Sequence, residues 1–397
     1  MDQPLRGLSV LDLGQVYQGP YAGFLLARAG ADVIKIEPPG GEPLRAREKI
    51  GGGAILPMAM LNTNKRGITL NLKSEKGRAM LCGMVRGADV LIENYAPGVM
   101  ERLGVGAERL MEENPRLVYA SGTGFGLSGP DRDTLAMDLT VQAVSGMMSV
   151  TGFPDGPPLK AGPAVADFLS GTHLYGAIMT ALFERERTGR GRLVEVAMEE
   201  AVYPTLASNL GIWHSSGGKV PPRTGNRHGG LAIAPYNVYP ASDGHVAVIC
   251  VTDQHWRNLA RAMEQEELAD DPRFASNAER VRNLDQTDRA VGDWCARRTR
   301  AQVLEAVRRH RVPAAPVRDL DEVARDPHMH QRGMLQWLDH PELGPVVVPN
   351  SPLRLHGTEA PGARAHPDLG QHNVEVYAEL LGLSAQEVDA LAAEGVI

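Results

Sequence analysis

The sequence predicts an α/β protein built on a parallel sheet, with more than one domain, and three observations carry that reading. Residues 8–13 form a short apolar run, residues 21–29 place apolar side chains at helical spacing, and residues 32–37 form a second buried run. That order is a βαβ unit, and parallel neighbours in a sheet need such a crossover. Strand-like and helix-like stretches keep alternating to about residue 200. The 397 residues also exceed one ordinary core, at about 150 residues per domain.

Each element has a local reason. Pro20 suits a first helical turn, where its missing N–H would have no partner anyway. Gly30 stops that helix, and Pro38-Pro39-Gly40-Gly41 turns the chain after the second strand. A strand at 67–72, a helix at 75–86 and strands at 89–93 and 117–121 follow. Helices are expected at 138–148 and 168–185, then a strand at 194–198 and an apolar helix from Glu200. From 215 to 230 the texture shifts to Ser, Gly, Pro, Arg and His, which marks a domain boundary. Beyond it, a hairpin around Ser242-Asp243-Gly244 joins strands at 236–239 and 246–251. Charged helices fill 254–311, and β segments are expected at 314–317 and 344–349. A helix at 374–381 ends at Gly382, and Ser384 caps one more.

Composition narrows the function. A net charge of −7 and only 4 Trp, 9 Tyr and 6 Phe weigh against nucleic-acid binding, which uses a basic footprint and stacking rings. Cys82, Cys250 and Cys295 are too few and too dispersed for a disulfide framework or a thiolate metal site, so no metal is expected. No run approaches 18 apolar residues, and the N-terminus has no basic-then-apolar leader. The expectation is a cytoplasmic protein without membrane association.

The turn after the first strand invites a dinucleotide reading, with Glu37 placed like a ribose-binding carboxylate, but Gly14, Gly19 and Gly23 do not make G-x-G-x-x-G. Polar clusters at 15–18, 62–66 and 94–98 fall where strands should end, the sheet edge that binds ligands in open α/β folds. Lys65, Arg66, Lys73 and Arg102 could meet an anionic ligand there. Asp167 stands at the start of a helix followed by Ser170 and Gly171. A carboxylate there is commonly an N-cap. It could also be a nucleophile, kept ionised by the helix N-terminus and given room by small neighbours. The segment 224–230 reads either as a linker or as a glycine-hinged lid in which His228 contacts substrate.

Taken in order, six blocks resemble the class III coenzyme A transferases, which include formyl-CoA:oxalate, carnitine and succinyl-CoA:dicarboxylate CoA-transferases and have α-methylacyl-CoA racemase as a relative. The blocks are 11–20, 30–37, 61–66, 93–98, 142–146 and 312–317. The family's nucleophile is an aspartate followed four residues later by glycine, a pattern met by Asp167 and Gly171. The resemblance implies CoA contacts at Gln15, Val16, Tyr17, Gln18, Leu70, Lys73, Asn94, Tyr95, Arg102 and Met137. Substrate or lid roles fall to Arg45, His228, Gly229 and Gly230, and Arg45, Arg47, Arg227 and His228 could hold a remote carboxylate of a diacid. It further implies CoA thioesters as substrates rather than a resident cofactor, and an interlocked homodimer. Each chain would combine a Rossmann-like large domain at 1–215, a linker and smaller α+β domain at 216–330, and a return to the large domain at 331–397.

Two departures bear on specificity: Pro38 stands where some relatives carry a phosphate-gripping base, and Tyr17 where the formyl-CoA enzymes place glutamine. The racemase branch needs a histidine before the aspartate equivalent to Asp138, and Met137 cannot accept a proton. A racemase or epimerase is therefore the alternative to CoA transfer. A non-catalytic CoA-binding protein and a nicotinamide oxidoreductase rank below both.

Overall fold

The computed structural model describes residues 3–47, 56–219, 223–358 and 361–397. They form two compact units, one from Met1–Val141, Pro163–Val202 and Ala324–Ile397, the other from Gln142–Gly162 and Tyr203–Val323. The first unit thus ends earlier than the expected residue 215, resumes earlier than 331, and releases Gln142–Gly162 to the second. The boundary escapes a reading of composition because the chain crosses it inside helical residues. Met198–Val202, the 3-10 turn Tyr203–Leu206, which carries Pro204, and Ala207–Ser216 follow one another without an intervening loop.

In the first unit, β1 (Ser9–Asp12), β2 (Asp32–Glu37), β3 (Arg66–Thr69), β4 (Val90–Glu93), β5 (Val118–Thr123) and β6 (Leu193–Ala197) form one sheet in the order β3-β2-β1-β4-β5-β6. Every neighbouring pair is parallel. This is a doubly wound order, whose direction of winding reverses between β1 and β4. Strand periodicity sorts the core into two layers. Leu11, Ile34, Ile68 and Leu91 face the helices Glu75–Val85 and Asn373–Leu381. Val10, Val33, Val90 and Ile92 face the helices Gln18–Arg28 and Val165–Thr188.

The edge strand β3 is covered by the far end of the chain. The Gly67 N–H donates to His372 Nδ1 (3.0 Å), the Thr69 N–H to Asn373 Oδ1 (2.9 Å), and the Asn71 N–H to the Val396 carbonyl (2.8 Å). Such cover blunts an edge that would otherwise pair with another chain.

In the second unit, β7 (Tyr236–Ala241), β8 (Gly244–Ile249) and β9 (Ala314–Pro316) are antiparallel, and the expected hairpin around Ser242-Asp243-Gly244 is closed by the Ala241–Gly244 pair. Trp256, Val291, Trp294 and Val303 pack over them. The expected helix at 138–148 is instead two pieces, Asp138–Val144 and Met147–Val150, broken where Gly146 takes φ +88°. A strand not anticipated, β10 (Leu335–His340), pairs with β11 (Gly344–Pro349) in the first unit. Among the described residues, no helix is long and apolar enough to cross a membrane, and no three His, Cys, Asp or Glu side chains gather to hold a metal.

Candidate active site

The site is built where the sheet order reverses. β1 and β4 are paired neighbours, but the segments that follow them pass to opposite faces of the sheet, leaving a crevice at the carboxyl ends of the two strands. Asn94, just after β4, ties the two ends together: its Oδ1 accepts from the Gln15 N–H (2.7 Å) and its Nδ2 donates to the Gln15 carbonyl (2.9 Å). The next residue, Val16, has φ +62°. A β-branched residue there costs on the order of 1–3 kcal/mol and persists only when its surroundings impose it. The imposing group is Glu42, whose Oε2 accepts the Val16 N–H at 2.8 Å.

Beneath this loop lies a cluster of buried charge. Lys35, fully buried, pairs with Glu42 at 2.8 Å and donates to the Gly14 carbonyl. Glu37 accepts the Glu42 N–H (3.0 Å) and two hydrogen bonds from Arg45, both 2.8 Å. Lys65 pairs with Asp12 at 2.7 Å and also donates to the Pro20 carbonyl and Asn62 Oδ1, each at 2.9 Å. Burial opposes ionisation of Asp12, but Lys65 and Lys35 outweigh it and hold the carboxyl below its ordinary range. Burial draws Lys65 down to about 8 against the pull of Asp12, so both groups are charged at neutral pH.

Asp167 enters from the helix Val165–Thr188, as its third residue. It does not cap that helix. Ala164 occupies the N-cap without a side-chain bond, and the capping is done from a distance by Asp138, whose Oδ1 accepts the N–H groups of Ala166 (2.9 Å) and Asp167 (3.3 Å). Gly171 lies one turn further along. A Cβ there would fall 2.6 Å from the Gln18 carbonyl, so the glycine lets this helix close upon the start of Gln18–Arg28 and brings Asp167 to the β1 turn. That close approach is a physical reason for an aspartate and a glycine four residues apart.

The result is a cavity of about 250 Å³. Of the residues expected at the site, Gln15, Val16, Gln18, Asn94, Tyr95, Met137 and Asp167 line it together. Its remaining wall includes Gly122–Gly124, Thr134 and Met198, which sequence reasoning passed over. The carboxyl-end rule that picked out 15–18 and 94–98 applies equally to the end of β5 and would have found 122–124.

Other expected residues stand elsewhere. Tyr17 turns aside to stack on Phe168, with ring centroids 5.9 Å apart. Leu70 is 2% exposed in the sheet core, so its side chain is unavailable to a ligand. Lys73 and Arg102 are exposed and do not line the cavity. Arg45 pairs with Glu37, and Lys65 with Asp12. Arg66 pairs with Asp32, Glu375 and Glu379. In the second unit, Arg227 is paired with Asp285 and Asp288. There His228 Nδ1 accepts the N–H groups of Gly230 (3.1 Å) and Ala232 (3.3 Å), which leaves the neutral ring's proton on Nε2. Gly229 abuts the Asn209 side chain. The side chain of Arg47 lies outside the described residues.

Glu93, at the end of β4, makes the site's support sensitive to pH. Burial raises its carboxyl to about 7, against the opposing hydrogen bond from the Tyr95 N–H (2.8 Å). Between its ordinary value of 4.5 and about 7 the folded protein holds a proton that the unfolded chain has lost. This contribution to stability is complete below that window and falls away as pH rises through it, by up to roughly 1.4 kcal/mol per pH unit. In melting curves from pH 5 to 7.5, Glu93→Gln should remove that decline, and an unchanged slope would refute the assignment.

The model of CoA-transferase family III matches residues 5–373. The chain is 40% identical over 386 residues to acetyl-CoA:oxalate CoA-transferase from Acetobacter aceti, covering 96% of this chain and 97% of that protein. It is 37% identical over 389 residues to succinyl-CoA:mesaconate CoA-transferase from Haloarcula hispanica, covering 94% and 96%. The crystal structure of a CAIB/BAIF family protein from Brucella suis superposes with a TM-score of 0.83 at 33% identity, covering 96% of this chain and 100% of that one. With the family model spanning nearly the whole chain and relatives matched end to end, the protein belongs to CoA-transferase family III and is a CoA-transferase.

Proposed function

We propose that this enzyme moves CoA from a small acyl-CoA, succinyl-CoA or a related dicarboxylyl-CoA among the candidates, to a carboxylic acid, with Asp167 as the nucleophile. One observation carries the reading: Asp167 borders the cavity at the carboxyl ends of β1 and β4 in the company of Gln15, Val16, Asn94, Tyr95 and Met137. An oxygen of Asp167 attacks the thioester carbonyl, the C–S bond breaks, and CoA leaves as thiolate from an acyl-aspartyl anhydride. The thiolate attacks the aspartyl carbonyl, which releases the donor acid and leaves an aspartyl-CoA thioester. The acceptor carboxylate then attacks that carbonyl and displaces the thiolate. Attack of the thiolate on the new acyl carbonyl forms the product thioester and regenerates Asp167. Dividing one exchange among steps of matched energy is what a covalent nucleophile contributes.

Lys73 and Arg102, exposed and without an ion-pair partner among the described residues, are the proposed contacts for CoA phosphates. His228, Gly229 and Gly230 are kept as proposed substrate and lid residues. A dicarboxylic acceptor is favoured because the two relatives described above are named for oxalate and mesaconate, both diacids. The proposal includes a homodimer of interlocked rings. Its support is a groove of about 540 Å³ in the second unit, bordered by Val144, Tyr203 and Trp213, the last two 59% and 62% exposed. Apolar surface of that kind usually meets a partner.

The test is to incubate the enzyme with acyl-CoA donors alone, quench with hydroxylamine or borohydride, and map the modified peptide by mass spectrometry. Modification of Asp167 is expected. An active enzyme that never labels there has another nucleophile. A panel of donors against mono- and dicarboxylic acceptors then identifies the pair that exchanges.

A further inference from the structure

The buried charges under the β1 turn pose a question that the nucleophile does not answer. Val16 is held in the left-handed region although nothing in its own side chain favours that conformation. A glycine would rest there without strain. The conformation has a consequence for the cavity: Gln15, Val16 and Gln18 all line it, while Tyr17 points away to Phe168.

The hydrogen bond from the Val16 N–H runs to Glu42, and the structure assigns to Glu42 the role of a positioning residue that sets the acyl-CoA site through Val16. This rests on the reading of the cavity as that site. Glu42 is itself held at both its carboxylate and its backbone N–H. Its carboxylate pairs with Lys35 at 2.8 Å, Lys35 in turn binds the Gly14 carbonyl of the same turn, and its own N–H is fixed at 3.0 Å by Glu37. Arg45 meets the charge of Glu37 and also binds the Pro367 carbonyl at 2.8 Å. On the other side of Val16, Asn94 clamps both backbone groups of Gln15. The turn is therefore gripped at two successive residues, by a neutral amide just after β4 and by a carboxylate from the segment after β2. Arg45, expected to grip substrate, is the outer end of this arrangement.

The experiment compares steady-state kinetics of the full-length Glu42→Ala, Glu42→Gln and Val16→Gly variants and the Glu42→Ala/Val16→Gly pair, with one acyl-CoA donor that the wild type turns over. Glu42→Ala frees the Val16 N–H and is expected to raise KM for the donor about tenfold or more with little change in kcat. Glu42→Gln keeps an acceptor for Val16 and loses only the charge facing Lys35, so its KM should stay within about threefold of wild type even if its melting temperature falls. Adding Val16→Gly to Glu42→Ala should recover most of the lost affinity, because glycine accepts the positive φ without the carboxylate.

A KM unchanged in Glu42→Ala would overturn the assignment. So would a Glu42→Gln variant as impaired as Glu42→Ala, or a double variant no better than Glu42→Ala alone, since either result makes Glu42 only a counter-ion for Lys35. Failure of the wild type to turn over any acyl-CoA would instead refute the reading of the cavity.

Discussion

Replacing Asp167 by asparagine should reduce CoA exchange by roughly 10⁴-fold or more, the scale seen when a covalent nucleophile is removed. The substitution is nearly isosteric, but an amide nitrogen or oxygen does not form the anhydride on which the sequence of acyl transfers depends. The helix should tolerate it, because Asp138 rather than Asp167 accepts the first N–H groups. Stability and donor binding should therefore remain close to wild type while kcat collapses. Measuring exchange between a labelled acid and its own CoA thioester gives the cleanest readout, since one acid serves as both donor product and acceptor. A loss below tenfold would sink the covalent route. Exchange of the donor's α-hydrogen with solvent deuterium, in the absence of any acceptor acid, would point to racemase-like chemistry instead.

The second large effect concerns the fold under the site. Asp12 and Lys65 are both completely buried, and Lys35 lies close enough to bear on the Asp12 carboxylate. Asp12→Asn leaves two buried cations with less compensation, and Lys65→Met leaves a carboxylate with only Lys35 to answer it. Each single change should cost about 3–5 kcal/mol, the usual result of stripping one partner from a buried pair. The double variant removes both charges and should cost clearly less than the sum of the two. Urea unfolding followed by circular dichroism would measure this, and strict additivity would mean that the pair is not energetically coupled. The crowding is tight as well: a Cβ on Gly23 would stand 2.6 Å from Asp12 Oδ2, so larger replacements at position 12 would confuse charge with sterics.

Much of this architecture is legible in the sequence because it depends on local patterns. Runs such as Val33-Ile34-Lys35-Ile36 bury alternate side chains on two faces of a sheet, and the βαβ order forces parallel neighbours. The carboxyl-end clusters at 15–18 and 94–98 follow from the same topology, and Asp167 with Gly171 from a family resemblance. What escaped depends on contacts between distant residues. Arg45 and Lys65 look in sequence like cations awaiting a ligand, and only the fold pairs them with Glu37 and Asp12. Asp138 caps a helix that begins far along the chain, so no capping motif announces it. The strand Leu335–His340 was invisible because its Gln, Trp, Asp and His belong to a two-stranded hairpin with little apolar alternation.

The cover over β3 bears on how the protein is made. The edge strand ends at Thr69, yet its partners are His372, Asn373, Tyr377 and, just beyond the strand at Asn71, Val396. At about 5–20 residues per second, a ribosome needs roughly 15–65 seconds to travel from one to the other. During that interval the hydrogen-bonding groups at the rim of a nascent sheet stand bare, and the whole second unit emerges before they can be covered. The enzyme thus has a late-closing seam, at which holding chaperones and unwanted strand pairing compete for the same exposed backbone.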